Sequence, residues 1–370
     1  MNSTTPDIPR MATIILGTSN AGKTTFVMAS YATMAGGLVN GLSLHCRDRA
    51  RGLGLLRSWD TFAEEGELPV PTRHGELALY PFVFKSGVEP WLEFDLLDYR
   101  GGAVLDDPDE PDVQQLLAHL VRSTSIYLAI DSAYLTAPVD ASNRDRVLRR
   151  TGVRQISELL HDCFERCQAE GRPLPSLVLL LTKSDLMRPR FAGRAPATVL
   201  KELLDNLRQV VPLAFAPGVS ALVCPVRIAR FCQIAADEWQ VESLDPMNLH
   251  RPVAFSLLHH IQLRASAHRG QVALLRGERE EKQQRASVEA SRLRSTIFGG
   301  YFNRDRLARD TGLVTQADER LAAADAQLRV TERQIDELLK LLASVPVLQD
   351  GEVVNLDLSD ADGEDGPGAW

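Results

Sequence analysis

Six short apolar runs, rich in leucine, isoleucine, valine and aromatic residues, punctuate the first two thirds of the chain. They occupy Ala12–Leu16, Leu77–Phe84, Trp91–Leu97, Ile126–Ile130, Leu177–Leu181 and Ala221–Val226. Runs of this length without a helical period are typical of buried strands. The pattern therefore predicts six β-strands.

Segments in which apolar residues recur at helical spacing lie between and after these runs. They cover about Gly22–Met34, Val113–Arg122, Val153–Ala169, Pro196–Leu207 and Pro252–Ala267. Alternation of strands with helices favours an α/β fold with a mostly parallel six-stranded sheet. Pro252 falls in the first turn of the last helix, a favoured position for proline, and we expect this helix to close the domain.

Beyond residue 267 the pattern becomes purely helical. Apolar residues repeat at coiled-coil spacing at Val314, Ala317, Leu321, Ala324, Leu328, Ile335, Leu338, Leu342 and Val345. The preceding segment, Gly270–Ile297, has a weaker seam because Arg279 and Lys282 fall on it. The glycine-containing connector Phe298–Phe302 predicts a hairpin of two helices, and a second chain is the alternative cover for the seam.

These patterns divide the chain into four parts. We expect a flexible N-terminus at 1–10, an α/β domain at 11–267, a helical hairpin at 268–345 and a tail at 346–370. The tail has seven acidic residues and no lysine or arginine. Such a composition predicts disorder.

Composition and charge exclude several classes of protein. The 370 residues are 44% hydrophobic and 24% charged, which is typical of a globular protein. The formal net charge of -8 opposes non-specific nucleic-acid binding by the molecule as a whole. The five cysteines show neither zinc spacing nor a disulfide pattern. The first apolar run is too short for a signal peptide or a membrane span, so we expect a cytoplasmic protein.

The segment Gly17-Thr-Ser-Asn-Ala-Gly-Lys-Thr24 matches G-x-x-x-x-G-K-[ST] between a predicted strand and a predicted helix. This context is typical of a phosphate-binding P-loop, whose backbone N–H groups face phosphate oxygens. Lys23 would reach the β- and γ-phosphates, and Thr24 would bind Mg²⁺. The expected nucleotide contacts are Gly17, Asn20, Ala21, Gly22, Lys23, Thr24 and Thr25.

A second motif follows the third predicted strand, where Asp98-Tyr-Arg-Gly101 spells D-x-x-G. A carboxylate at Asp98 would hold a water of the Mg²⁺ shell. The Gly101 N–H would contact the γ-phosphate and sense its loss. A simple turn at the end of a strand is the structural alternative.

A third motif, Thr182-Lys-Ser-Asp185, ends the fifth predicted strand and resembles the guanine motif [NT]KxD. The Asp185 carboxylate would accept from both the N1–H and the 2-amino group of guanine, a pairing that adenine does not offer. Lys183 would lie along the base. The alternative is an ordinary capping arrangement at a helix start.

Together, the three motifs resemble the translation-factor-related (TRAFAC) class of P-loop GTPases. The resemblance covers residues 11–267 and implies a Ras-like G domain that binds GTP, GDP and Mg²⁺. The long segment before the second predicted strand, including 65–72, is similar to that of bacterial GTPases predicted in conflict systems. Some of those proteins carry paired G domains, whereas this sequence has one P-loop.

The resemblance implies two further loops. A switch threonine should complete the Mg²⁺ shell, and Thr72 is the best-placed residue, with Thr61 as the rival. A loop after the sixth predicted strand should contact the base near Arg227. Ser220–Ala221 is the alternative if that strand lies earlier.

The resemblance also implies a slow GTPase that switches between states and controls a protein partner. Gly102 stands where many Ras-like enzymes have the glutamine that orients the attacking water. Arg100 would stabilise the transition state in cis, or else be an ordinary solvated side chain. A non-hydrolysing scaffold and a dynamin-like membrane protein remain alternatives.

The hairpin connector combines Phe298, Tyr301 and Phe302 with several flanking arginines. These aromatics would either pack back on the hairpin or contact a partner or a membrane.

Overall fold

The structure is a computed structural model. It describes residues 8–37, 39, 41–69, 78–99, 111–235, 238–295 and 304–354. In chain order, the strands are β1 (Arg10–Leu16), β2 (Leu42–Cys46), β3 (Ala78–Ser86), β4 (Glu89–Asp98), β5 (Ser125–Asp131), β6 (Ser176–Thr182), β7 (Ser220–Pro225), β8 (Arg227–Ala235), β9 (Glu238–Met247), β10 (Val347–Gln349) and β11 (Glu352–Val353).

The helices are α1 (Lys23–Ala35), α2 (Arg49–Glu65), α3 (Pro111–Arg122), α4 (Arg144–Thr151), α5 (Val153–Ala169), α6 (Arg188–Phe191), α7 (Pro196–Val210), α8 (Arg251–Ser295) and α9 (Arg304–Leu342). The strands and helices confirm the predicted α/β class.

A mixed sheet of nine strands forms the centre of this fold, in the order β11-β10-β7-β6-β5-β1-β4-β3-β2. The five strands from β7 to β4 are parallel to one another. The strands at both edges are antiparallel. All six predicted runs form strands. The expectation of a mostly parallel six-stranded sheet is nevertheless wrong, because the sheet has nine strands and its edge strands are antiparallel.

Three strands of the sheet and a separate ribbon escaped the sequence analysis. The edge strand β2 has only five residues, and the ribbon of β8 and β9 is rich in charged and polar residues. Neither segment has the continuous apolar run that marks a strand buried on both faces.

The parallel strands end at one edge of the sheet. Ile15 is in register with Asp98, Asp131 with Thr182, and Leu181 with Pro225. The chain passes from β1 to β2, on the β4 side of β1, whereas it passes from β4 to β5, on the other side of β1. In open α/β sheets, ligands bind outside the carboxyl ends of the strands at such a switch point.

Part of the segment that the sequence analysis assigned to a disordered acidic tail forms strands. Val347 and Leu348 are buried, and β10 pairs with β7. Asp350 and Gly351 both have positive φ values, of 53° and 81°, which suit a two-residue hairpin turn between β10 and β11. Disorder from residue 346 is thus wrong for 347–353, and residues 355–370 lie outside the described range.

Contacts divide the chain into one unit of Met1–Leu257 with Leu341–Trp370 and another of Leu258–Lys340. Helix α8 runs without a break through residue 267, where the sequence analysis ended one helix. A single glycine such as Gly270 weakens a helix by only about 1 kcal/mol and does not stop it.

Within the second unit, α8 and α9 run antiparallel. Ion pairs join Arg269 to Glu332 and Arg276 to Asp325, each at 3.2 Å, and Arg279 also pairs with Asp318. The polar seam position Arg279 therefore has a carboxylate partner on the neighbouring helix. The connector Phe298–Phe302 lies outside the described residues. No helix in the described part of the chain is long and apolar enough to cross a membrane.

Candidate functional site

The loop between β1 and α1 is tightly packed. A Cβ atom on Gly17 would lie 2.7 Å from the carbonyl oxygen of Ala129, so a larger residue does not fit there. Gly22 has a φ of 80°, which favours glycine, and its carbonyl accepts from the Phe26 N–H at 2.8 Å to begin α1. The two motif glycines are thus required by the backbone.

The side chain of Lys23, the first residue of α1, bonds back to this loop. Its Nζ donates to the carbonyl oxygens of Gly17 at 3.0 Å and Thr18 at 2.9 Å, and the residue is 7% exposed. Burial lowers the pKa of the Lys23 ammonium, and the charge of Asp98 raises it in part. A buried ammonium held by neutral carbonyls favours an anion at the loop.

Thr24 and Asp98 bring two of the motifs into direct contact. The Thr24 hydroxyl donates to Oδ2 of Asp98 at 2.6 Å, and Asp98 is fully buried. The contact follows from the parallel pairing of β1 with β4, which aligns the end of β4 with the start of the loop. A hydroxyl beside a carboxylate suits Mg²⁺, which usually takes one or two protein ligands and completes its shell with phosphate and water.

No group of three or more His, Cys, Asp or Glu side chains suited to a metal ion occurs within the described ranges. The Thr24–Asp98 pair is therefore the arrangement to consider for a cation.

The loop after β6 packs against the loop after β1. A Cβ atom on Gly22 would lie 3.5 Å from Cβ of Thr182, and the Thr182 hydroxyl donates to the carbonyl of Ile130 at 3.2 Å. Lys183 adopts a left-handed conformation with φ of 54°. Its Nζ lies 2.5 Å from Oδ2 of Asp131, the last residue of β5.

Asp185 is half-buried in a short turn that follows Lys183. Burial raises the pKa of its carboxyl above the usual value, whereas its own backbone N–H, Arg227 and Lys183 lower it in part and Asp131 raises it. The neighbouring cations favour the ionised form that a hydrogen-bond acceptor requires.

Arg227 begins β8 beside this turn. The Ser184 N–H donates to the carbonyl of Val226 at 3.2 Å, which fixes the two loops together. One guanidinium nitrogen of Arg227 lies 2.7 Å from Oδ2 of Asp245 on β9, and the side chain is 10% exposed. The alternative position, Ser220–Ala221, lies at the opposite end of β7.

The other site predictions fall in different places. Asn20, Ala21 and Thr25 lie in or directly after the loop, as the motif requires. The rival switch residue Thr61 lies within α2, four residues before its end. The remaining site residues, Thr72, Arg100 and Gly101, lie outside the described residues, as does Gly102.

Two residues that sequence reasoning missed belong to the site. Asp131 ends an apolar strand, as Asp98 does, and this shared position was the signal that would have identified it. Asp245 holds both Arg227 and Arg230 at 2.7 Å, but it lies in a polar strand with no recognisable pattern.

No protein-family model matches the chain, and no curated protein matches it.

Proposed function

We propose that this chain is a guanine-nucleotide switch that binds GTP and GDP with Mg²⁺ and hydrolyses GTP slowly. The observation that carries the proposal is the meeting of three motifs at one edge of the sheet. The Lys23 loop, the Thr24–Asp98 pair and the Asp185 turn leave β1, β4 and β6 on the same side. The topological switch point at β1 is also the expected ligand position in such a sheet, which supports a Ras-like G domain.

The phosphate end of the site would form around α1. Backbone N–H groups at the start of the helix and the Lys23 ammonium make the electrostatic potential at the loop positive, which favours phosphate. On nucleotide binding, Lys23 would exchange its carbonyl partners for phosphate oxygens. Thr24 would bind Mg²⁺ directly, and Asp98 would hold one of its waters.

The base end would form between the turns after β6 and β7. Asp185 would accept from guanine N1–H and the 2-amino group, and Lys183 would lie along the ring. Arg227 favours the ionised carboxylate and closes this end of the site. Adenine lacks both donors, so binding it would leave the half-buried carboxylate without the two hydrogen bonds that guanine offers.

Two segments outside the described residues would supply the switch. Thr72 would complete the Mg²⁺ shell, and the Gly101 N–H would contact the γ-phosphate. Water would attack the γ-phosphorus as its bond to the bridging oxygen breaks, which releases GDP and phosphate. With Gly102 in place of a water-orienting glutamine, this step would be slow unless Arg100 or a protein partner stabilises it.

Nucleotide titration by calorimetry tests the proposal. We expect Mg²⁺-dependent binding of GTP and GDP and at least about 100-fold weaker binding of ATP, since two hydrogen bonds to a charged acceptor are at stake. Lys23→Ala should remove most of the GTP affinity, whereas Lys201→Ala, an exposed lysine on α7, should leave it unchanged. Equal GTP and ATP affinity would overturn the guanine assignment, and full GTP affinity in Lys23→Ala would overturn the P-loop assignment.

A further inference from the structure

Helix α4 and the first turn of α5 present a strongly basic surface. Five arginines and one aspartate fall between residues 144 and 154. The arginines are Arg144, Arg146, Arg149, Arg150 and Arg154, and all five are exposed. We call these five residues the α4 surface.

Most arginines of the α4 surface lack the carboxylate partner that other arginines of this domain have. Arg190 and Arg194 both pair with Glu202 nearby. The Arg144 Nε donates to the carbonyl of Gln209 at 2.8 Å. For the other four members, the described part of the chain supplies no carboxylate within 4.0 Å. The five arginines against one aspartate give this surface a net positive charge, and four of them have no carboxylate partner in the described part of the chain, which favours a polyanionic occupant.

The acidic tail follows a turn that contacts α7, a helix that the α4 surface also contacts. The Val354 N–H donates to Val347 at 3.0 Å, and this fixes the chain at the sheet edge. The neighbouring turn touches α7, because an Arg208 nitrogen lies 3.5 Å from the carbonyl oxygen of Gly351. The next residue, Gln209, accepts the hydrogen bond from Arg144. The turn between β10 and β11 and Arg144 of the α4 surface therefore contact consecutive residues of α7, and Val354, the last described residue, follows that turn by three residues.

Charge and length both suit an intramolecular contact. Residues 355–370 contain five acidic and no basic residues, at Asp357, Asp360, Asp362, Glu364 and Asp365. Sixteen residues span up to about 50 Å when extended, far more than the 12 Å or so of the eight-residue helix α4. We propose that the acidic segment 355–370 docks on the α4 surface of its own chain.

Because the tail belongs to the same chain, weak ionic contacts are enough to keep it docked for most of the time. A short flexible linker gives an effective concentration in the millimolar range. A separate peptide that binds with a Kd of about 0.1 mM would therefore be docked roughly ten times as often as free when it is part of the chain.

Helix α4 also ends beside the loop between β1 and α1, to which the Lys23 side chain bonds. Gly152 links α4 to α5, and a Cβ atom there would lie 2.5 Å from Cγ2 of Thr18 in that loop. A docked tail would thus bring negative charge to the neighbourhood of the candidate site. The docking itself does not depend on the proposed function, because its evidence is charge, position and chain length alone.

A labelled peptide of residues 355–370 tests the docking through fluorescence anisotropy on the full chain. One variant neutralises the tail by converting its four aspartates to Asn and Glu364→Gln. We expect the peptide to bind this variant at least about 10-fold more tightly than the unmodified chain, whose surface is already occupied. Binding should weaken at least about 10-fold between 0.05 and 0.5 M salt.

Charge reversal separates specific docking from general attraction. In the neutral-tail background, Arg146→Glu, Arg149→Glu and Arg150→Glu together should abolish binding, and a peptide with lysines at the five acidic positions should bind instead. The control combines Arg57→Glu, Arg122→Glu and Arg166→Glu, which change the net charge equally at exposed positions on α2, α3 and α5. Equal peptide affinity for the unmodified and neutral-tail chains, or equal losses in the two triple variants, would overturn the proposal.

Discussion

Lys183 Nζ lies 2.5 Å from Oδ2 of Asp131, although 52 residues separate them in the sequence. The contact arises because β5 and β6 are parallel and in register to their last residues, Asp131 and Thr182. Asp131 also accepts from the Ala133 N–H at 2.9 Å, so one carboxylate fixes both the lysine and the turn that follows β5. It therefore positions the turn in which we place guanine recognition.

Replacing this carboxylate should weaken nucleotide binding. In Asp131→Asn the Lys183 ammonium loses its charged partner, and a partly exposed ion pair contributes up to about 1 kcal/mol. We expect about three- to fivefold lower GDP affinity by calorimetry. Asp140→Asn is the control, because Asp140 lies in the same connection and also binds local backbone N–H groups. Equal losses of GDP affinity in both variants would mean that Asp131 acts only through the turn after β5 and not through Lys183.

Asp185→Asn should change which base is preferred. The amide still accepts one hydrogen bond but presents donors where guanine has its own N1–H and 2-amino donors. We expect GTP affinity to fall by about 100-fold and xanthosine triphosphate, which has an oxygen at position 2, to become the better ligand. Competition between the two nucleotides measures the change. Unaltered preference for GTP would show that Asp185 does not contact the base.

The protonation of Asp185 gives the site a pH dependence. Burial raises the pKa of this carboxyl, so it becomes protonated at a higher pH than an ordinary aspartate. Only the ionised form accepts hydrogen bonds from both guanine donors. As the solution is acidified, GDP affinity should therefore begin to fall at a higher pH than it would with an ordinary aspartate. In the Asp185→Asn variant the phosphates of GDP still titrate but the Asp185 carboxyl is missing, so the additional loss of affinity should be absent. Identical profiles for the two proteins would contradict the prediction.

The sequence predicts the parts of this fold whose signal is local. All seven residues of β6 are buried, so its apolar run is visible without knowledge of its neighbours. Helix α5 begins and ends where its helical spacing indicated, at Val153 and Ala169. Gly17 and Gly22 of the G-x-x-x-x-G-K-T motif could be found for the same reason, since each is required by its own backbone or by a close neighbour.

Features that depend on distant partners were beyond the sequence. The pairing of β10 with β7 joins segments more than 120 residues apart, and the acidic composition around it suggested disorder. Asp131 and Asp245 acquire roles only when folding brings lysine or arginine beside them. Their own neighbours in the sequence indicate neither contact.

Hydrolysis by the isolated chain should be slow. Gly102 has no side chain with which to orient water, and a missing water-positioning or arginine group costs several orders of magnitude in related chemistry. We expect single-turnover rates below about 1 s⁻¹ with saturating Mg²⁺-GTP. Arg100→Ala should leave such a rate nearly unchanged if a partner supplies the catalytic group. A faster native rate that Arg100→Ala removes would instead identify this arginine as the missing group.

The helical hairpin should depend on its apolar seam far more than on its outer surface. Leu338 and Leu339 are adjacent on α9, yet Leu338 is fully buried and Leu339 is 40% exposed. Leu338→Ala should lower the free energy of unfolding by about 2–4 kcal/mol, because it removes buried methyl groups and leaves a cavity. Leu339→Ala should cost less than about 1 kcal/mol, since alanine is also the better helix former. Urea unfolding followed by helical circular dichroism measures both changes, and equal losses would contradict the difference in burial between Leu338 and Leu339.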